Sequence, residues 1–343
     1  MAVDEAVIPS SVDNPDAADF IESVRLHHAV EAVVYGTDDL TLSAREHLPY
    51  WRSTASPRRL FVVREGGRIV ARAMYNTQLE DPTTVWTSLH VLPDARGRGV
   101  GSELAAHLEA LARGEGRSKV IAHAASRDAP GGRLDSPTGF GGLPLGNPEV
   151  QFLLGRGYRL EQVERASRLP LPTEVVVPHP GADYRLHEWS GPVPDAWLTD
   201  MAVLMTRLST DAPSAGLERS ADVFTPERIR AREAEETASP RVGLVVAVEH
   251  VPSGRLVGHT TVYVPSELER PILQYDTLVL SEHRGNRLGY LLKVANLDHL
   301  QRTRPGHPSV ITFNAEENRF MLDINEQLGF TPLGYEGAWL KRL

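Results

Sequence analysis

The chain of 343 residues contains no cysteine. That excludes disulfides, thiolate metal sites and cysteine nucleophiles together, and it leaves the redox compartment unreadable. Lysine is nearly absent too: Lys119, Lys293 and Lys341 stand against 33 arginines. Such a bias reflects GC-rich coding and bears on source, not on mechanism. Long apolar runs are missing, since the densest, such as Val242 to Val248, are far shorter than a membrane span. Met1-Ala2-Val3-Asp4-Glu5 has neither a basic nor an apolar signal region. The expectation is a soluble, cytoplasmic protein, a monomer or homodimer, with no membrane partner. The formal charge of −9 argues against general affinity for nucleic acid.

What is present is an ordinary globular balance, 41% hydrophobic and 24% charged, in a length that suggests two domains. Two segments overlay. One is Leu89-His90-Val91-Leu92-Pro93-Asp94-Ala95-Arg96-Gly97-Arg98-Gly99-Val100-Gly101, and the other is Leu278-Val279-Leu280-Ser281-Glu282-His283-Arg284-Gly285-Asn286-Arg287-Leu288-Gly289. Each ends an apolar strand-like run and opens a helix-like one. Each also follows a predicted hairpin, Leu60–Arg64 with Ile69–Tyr75 and Leu244–His250 with Leu256–Val264. Downstream come a short strand, Lys119–Ala124 or Ser309–Phe313, and a helix closed by Gly157-Tyr158 or Gly329-Phe330, where glycine supplies the left-handed cap.

The two halves therefore read as copies of one fold. The first copy is longer between loop and closing glycine, and the excess falls in the Gly/Pro-rich stretch Asp128–Pro148, expected to be an inserted surface loop. Prolines from Pro170 to Pro180 mark a stiff linker, giving domains at 1–172 and 184–343 with 173–183 between. Asp195–Leu208 and Thr225–Glu236 read as the first helices of the second half, the latter with a Thr cap and Pro at its first position.

In Arg96-Gly97-Arg98-Gly99-Val100-Gly101 a strand turns into a helix N-terminus whose glycines keep side chains away. Backbone N–H groups and the positive end of the helix dipole then face outward, a site for a pyrophosphate. The spacing misses both the P-loop and the Rossmann fingerprint. What remains, Arg-x-x-Gly-x-Gly directly after a strand, resembles the GNAT superfamily of acyl-CoA-dependent N-acetyltransferases. The likeness covers most of the chain twice. Thr312-Phe313-Asn314-Ala315-Glu316-Glu317-Asn318 looks like the segment where such enzymes place an Asn near the cofactor. The tandem arrangement is similar to that of actinobacterial tandem-domain acetyltransferases, the group that includes mycothiol synthase.

The resemblance implies a mixed α/β sheet in each of two tandem acyl-CoA N-acyltransferase domains. It also implies acetyl-CoA as cosubstrate, no metal, and a primary amine on a small molecule as acceptor. The cofactor-binding positions it implies are Leu89, Val91, Arg96, Gly97, Arg98, Gly99, Val100 and Gly101 in the first half. In the second they are Val279, Arg284, Gly285, Asn286, Arg287, Leu288, Gly289 and Asn318. Such a site needs a fixed donor for the developing oxyanion, a base for the amine and an acid for the leaving thiolate.

Two departures stand out. The family's usual acid is a Tyr four residues before the closing Gly, and those positions hold Leu153 and Asn325. The middle glycine of the second loop is Arg287, which could clamp a phosphate or obstruct the loop. A different class of reading is thereby kept open, a non-catalytic acyl-CoA-binding protein that senses or scaffolds.

Asp276, a charge in an apolar strand, is the candidate base; strand alternation places it on the face of Gln274 and Leu278. The aligned first-half residue is Ser88. His90 and His123 read as hydrogen-bonded sheet histidines, Glu249 and His250 as solvated strand-end charges, and Arg228–Glu236 as a solvated helix face. His27 and His28, adjacent in a helix-like run, point different ways and form no metal motif.

Overall fold

The computed structural model describes residues 2–218 and 221–343. The first half runs β1 (Val3–Ala6), α1 (Ala18–Tyr35), α2 (Ala44–Trp51), β2 (Arg58–Glu65), β3 (Arg68–Gln78), β4 (Asp81–Val91), α3 (Val100–Gly114) and β5 (Lys119–Ser126). It ends with β6 (Arg133–Asp135), β7 (Gly142–Pro144), α4 (Pro148–Gly155) and β8 (Arg159–Pro170). The second half runs β9 (Tyr184–Ser190), α5 (Leu198–Asp211), α6 (Pro226–Glu236), β10 (Val242–His250), β11 (Arg255–Val264) and β12 (Ile272–Val279). It closes with α7 (Leu288–Thr303), β13 (Ser309–Ala315), α8 (Arg319–Gln327) and β14 (Thr331–Arg342). Residues 171–183 join the halves without helix or strand.

Local chemistry explains the elements. Gly66 and Gly67 both take positive φ (+55° and +85°), the geometry a two-residue hairpin turn between β2 and β3 requires. Ser43 and Glu46 form a reciprocal capping box at α2, and Thr225 caps α6 ahead of Pro226. The Gly/Pro-rich stretch is more than a surface loop. It folds as the β6–β7 ribbon, and Leu143 is fully buried against the first-half core.

Among the described residues, twelve strands form one sheet in the order β1-β2-β3-β4-β5-β14-β8-β13-β12-β11-β10-β9. The closing strand of each half is exchanged: β14 pairs with β5 from Tyr335↔Ser126 to Arg342↔Lys119, and β8 pairs with β13 from Ser309↔Pro170 to Ala315↔Glu164. β14 and β8 pair with each other along their length, so the sheet is continuous through the middle of the molecule. Trp339 on β14 lies in the first half's core, while Leu169 on β8 lies in a second-half cluster with Leu297 and Phe330.

In each half one pair of strands runs parallel and then parts. β4 and β5 stay paired from Thr84↔Lys119 to Thr87↔Ala122. β12 and β13 pair only at Ile272↔Val310 and Leu273↔Ile311, so the gap opens sooner in the second half.

Candidate active site

The two loops share one backbone conformation. Leu92 and Leu280 have identical φ and ψ (−56°, 142°), and Arg96 and Arg284 follow in extended geometry. Gly97 (+75°) and Gly285 (+85°) then turn left-handed, followed by Gly99 (+87°) and Arg287 (+57°). The two arginines brace the loop in the same way, Arg96 Nε donating to Val91 O and Arg284 Nε to Val279 O, each at 3.1 Å. The repeat seen in the sequence is thus a repeat of dihedral angles and hydrogen bonds.

Their surroundings differ. Arg98 is held by Glu65 at 2.9 Å and donates to Asp94 O. Arg287 caps α7 and is exposed, and its side chain makes no hydrogen bond or ion pair among the described residues. Arg284 also reaches Asp211 at 2.7 Å, and Asn286 donates to His283 O and to the Tyr184 hydroxyl. Leu288 and Gly289 open α7 beneath the loop and are buried.

A cavity of about 1170 Å³ lies between the halves. Arg284, Gly285, Arg287, Leu288 and Gly289 line it, together with Val279 and Asn318, whereas no residue of the first-half loop from Arg96 to Gly101 does. Leu89 and Val91 also stay outside it, packed with the first-half core and close to Gly101. Asn318 caps α8, its side chain accepting from Met321 N–H. The opposite wall comes from the first half: His27 and Glu31 on α1, Trp86 and His90 on β4, and His123 on β5. The crossed-over strand β14 adds Glu336.

The register corrects one expectation. Thr260 pairs with Thr277 but Val262 pairs with Gln274, so β12 carries an extra residue at Tyr275–Asp276. This β-bulge breaks alternation. Gln274 turns inward, donating to Thr260 Oγ1 and Thr261 O, while Leu278 packs with α5 and α6. Asp276 lines the cavity with Tyr275, whose ring meets Tyr263 edge-on at 4.9 Å, and its charge acts on Arg232 and His259. It therefore shares a side with Leu278 and not with Gln274. Arg232 likewise departs from the solvated helix face expected of it, since it lines the cavity, donating to Glu236 at 2.8 Å.

The remaining sequence candidates separate. Glu249 is buried against His187 (2.8 Å) and Arg185 (3.5 Å), a paired carboxylate away from the cavity. His250 bonds Ser253 Oγ, and its ring lies 4.7 Å from that of His283. His123 contacts Glu336 at 3.1 Å and stacks on Trp86. His27 and His28 do point apart, to Glu31 Oε1 (2.9 Å) and to Leu42 O (2.8 Å).

Sequence reading missed that His90 comes to within 4.3 Å of His27, ring to ring. His27, Glu31 and His90 offer ligand atoms all within 4.8 Å of one another, the residue types of a metal site. Charges of both signs act on this group, the Glu336 carboxylate on Glu31 among them. Arg72, a buried guanidinium, acts on all three, and burial pushes the Glu31 carboxyl up to about 8 while pulling His27 and His90 well below the usual imidazole range. Burial thus disfavours the charged form of both partners of the 2.9 Å contact.

A second missed group sits under the second-half loop. Lys293 on α7 is 2% exposed, and its Nζ donates to Asn325 Oδ1 at 2.7 Å. Asn325 Nδ2 in turn donates to Asn314 Oδ1 at 2.7 Å, on the lip of the parted strands. The corresponding first-half residues, Ala105, Leu153 and Ala124, are apolar. The signal in the sequence is local: Lys293 lies between Leu291-Leu292 and Val294-Ala295, an apolar setting for a lysine.

Strand, loop and helix N-terminus beside a parted strand pair, built twice on a shared sheet, define a tandem acyl-CoA N-acyltransferase fold. The profile of the Acetyltransferase (GNAT) family matches residues 29–130. The mycothiol acetyltransferase of Geodermatophilus obscurus is 31% identical over 256 residues, covering 73% of this chain and 72% of that protein. That of Thermomonospora curvata is 32% identical over 250 residues, covering 71% and 74%. In fold, the chain matches a tandem GNAT protein from the clavulanic acid biosynthesis pathway with a TM-score of 0.74. The two are 24% identical, and 99% and 98% of the two chains are covered. A GCN5-related N-acetyltransferase from Sphaerobacter thermophilus matches with a TM-score of 0.64 at 17% identity, over 95% and 93%.

The chain belongs to the GNAT acetyltransferase family. It is an acyltransferase of the acetyl-CoA-using kind, and the reading as a non-catalytic acyl-CoA-binding protein gives way. No helix among the described residues is long and apolar enough to cross a membrane.

Proposed function

We propose that this protein transfers the acetyl group of acetyl-CoA to a primary amine of a small molecule, and that the second half performs the chemistry. The observation that carries the reading is that the loop Arg284–Gly289, the parted strand β12 and Asp276 open into one cavity, which the first-half loop does not reach. The residues fit the donor. Backbone N–H groups at the start of α7 and the free guanidinium of Arg287 suit a pyrophosphate. Beyond Leu273 the edge of β12 has no β13 partner, leaving strand N–H groups available to an acyl oxygen.

In this reading Asp276 takes the proton of the attacking amine, directly or through water. The acceptor lies across the cavity against α1, β4 and the crossed-over β14, so the first half shapes the acceptor site. The relatives are named as mycothiol acetyltransferases, and their acceptor belongs in any panel of amines. The test is release of free CoA from acetyl-CoA with such a panel, with the acetylated product identified by mass. Turnover with a primary amine supports the reading. Acetyl-CoA binding without CoA release on any amine overturns it.

A further inference from the structure

We propose that the Lys293 ammonium, held by Asn325 beside the gap between β12 and β13, is the general acid that protonates the departing CoA sulfur. The proposal rests on the amine-transfer reading above and supplies the acid that the sequence lacks at its usual place.

Three observations carry it. The first is position: Asn325 is the residue four before the closing Gly329, and its side-chain oxygen accepts from Lys293 Nζ at 2.7 Å. Lys293 lines the same cavity as Gly289, Asn314 and Asp276. The second is the buried chain itself. Lys293 and Asn325 are 2% and 1% exposed, and Asn325 passes its other hydrogen-bonding group to Asn314 on β13, so the ammonium is fixed between α7 and the lip of the gap. Burying a cation without a carboxylate is costly, and the first half avoids it with Ala105, Leu153 and Ala124. The third is electrostatic. Nζ meets Asn325 on α8, with Asn314 beyond it on β13, and the Phe330 ring at 5.6 Å, and among the described residues it has no ion-pair partner. Desolvation alone pulls Lys293 down to about 7, the range in which an acid can both hold and release a proton under neutral conditions.

The step balances as follows. The amine nitrogen forms a bond to the acetyl carbon, and the C–S bond breaks with its electron pair on sulfur. A proton passes from Nζ to sulfur, giving the CoA thiol. The surplus proton of the amine leaves to Asp276 or water, and neutral Lys293 recovers a proton from water in the cavity. The products are an amide and a thiol, with no other reactant.

Three proteins decide it: the parent, Lys293→Met and Asn325→Asp, each in the full chain. Lys293→Met keeps volume and removes an unpaired buried cation, so its Tm should not fall. Its acetyl-CoA affinity should stay within threefold, kcat should drop on the order of 10²–10⁴, and the loss of rate with rising pH expected of the parent should vanish. Asn325→Asp places a carboxylate against the ammonium and should move that basic limb upward by at least one pH unit. If the parent turns over and Lys293→Met matches its kcat and basic limb, Lys293 is structural and the proposal fails. An unmoved limb in Asn325→Asp overturns it equally. Absence of CoA release by the parent on every amine overturns the amine-transfer reading, and the acid role with it; the parental rate tells the two failures apart.

Discussion

Arg287→Gly tests whether the departure in the second loop is a clamp or an obstacle, because its two effects have opposite signs. Arg287 occupies left-handed backbone (φ +57°) where the first loop has Gly99 (φ +87°). A side chain there costs about 1–2 kcal/mol, and glycine gives back about 0.5–1 kcal/mol of that gain as chain entropy. The variant should therefore be more stable by roughly 0.5–1 kcal/mol, about 1 °C in Tm for a chain of this length. Yet the guanidinium is exposed, unpaired among the described residues, and sits at the N-terminus of α7 on the cavity wall. Strain retained without a structural partner points to a ligand. Loss of a charge-assisted hydrogen bond to phosphate costs about 1.5–3 kcal/mol, or roughly 10- to 150-fold in Kd. Denaturant titration gives the first quantity and calorimetry with acetyl-CoA the second. A variant that is more stable and binds acetyl-CoA as tightly as the parent, or more tightly, would show that Arg287 obstructs the loop.

Asp276→Asn should leave acetyl-CoA affinity unchanged, lower kcat on the order of 10²–10⁴ and remove the acidic limb of the pH profile; parental turnover with the same limb would return Asp276 to a structural role beside Arg232. Gly99→Val puts a β-branched residue at φ +87° and should weaken any acetyl-CoA site on the first-half loop by more than tenfold. An unchanged isotherm would mean that this loop carries no cosubstrate. Glu31→Gln addresses the buried pair with His27. Because the carboxyl is raised to about 8 in the folded state against 4.5 ordinarily, its favourable contribution is complete below about pH 4.5 and is lost as pH rises through 8. The glutamine variant should match the parent near pH 4 and exceed it above pH 8 by on the order of a few kcal/mol; parallel stability curves would refute the burial argument.

The sequence by itself determined what depends on neighbours in the chain. Glycines at Gly97, Gly99 and Gly285, a strand before them and a helix after are local demands of a phosphate-holding turn, and all recur in the backbone angles. The hairpins, the Thr225 cap and the closing Gly157 and Gly329 are equally local. Tertiary structure decided what depends on distant pairing. Nothing in the pattern of β14 says that it crosses to β5, some 200 residues earlier, because period-2 alternation records which face is buried and not which strand lies alongside. The bulge at Tyr275–Asp276 has the same origin: one extra residue on β12 is visible only against its partner β11. The meeting of His27 and Glu31 with His90, and of Lys293 with Asn325 and Asn314, follows from helices packed on a sheet whose order the chain does not spell out. Burial then sets their protonation, since the cost of a charge depends on what surrounds it in space.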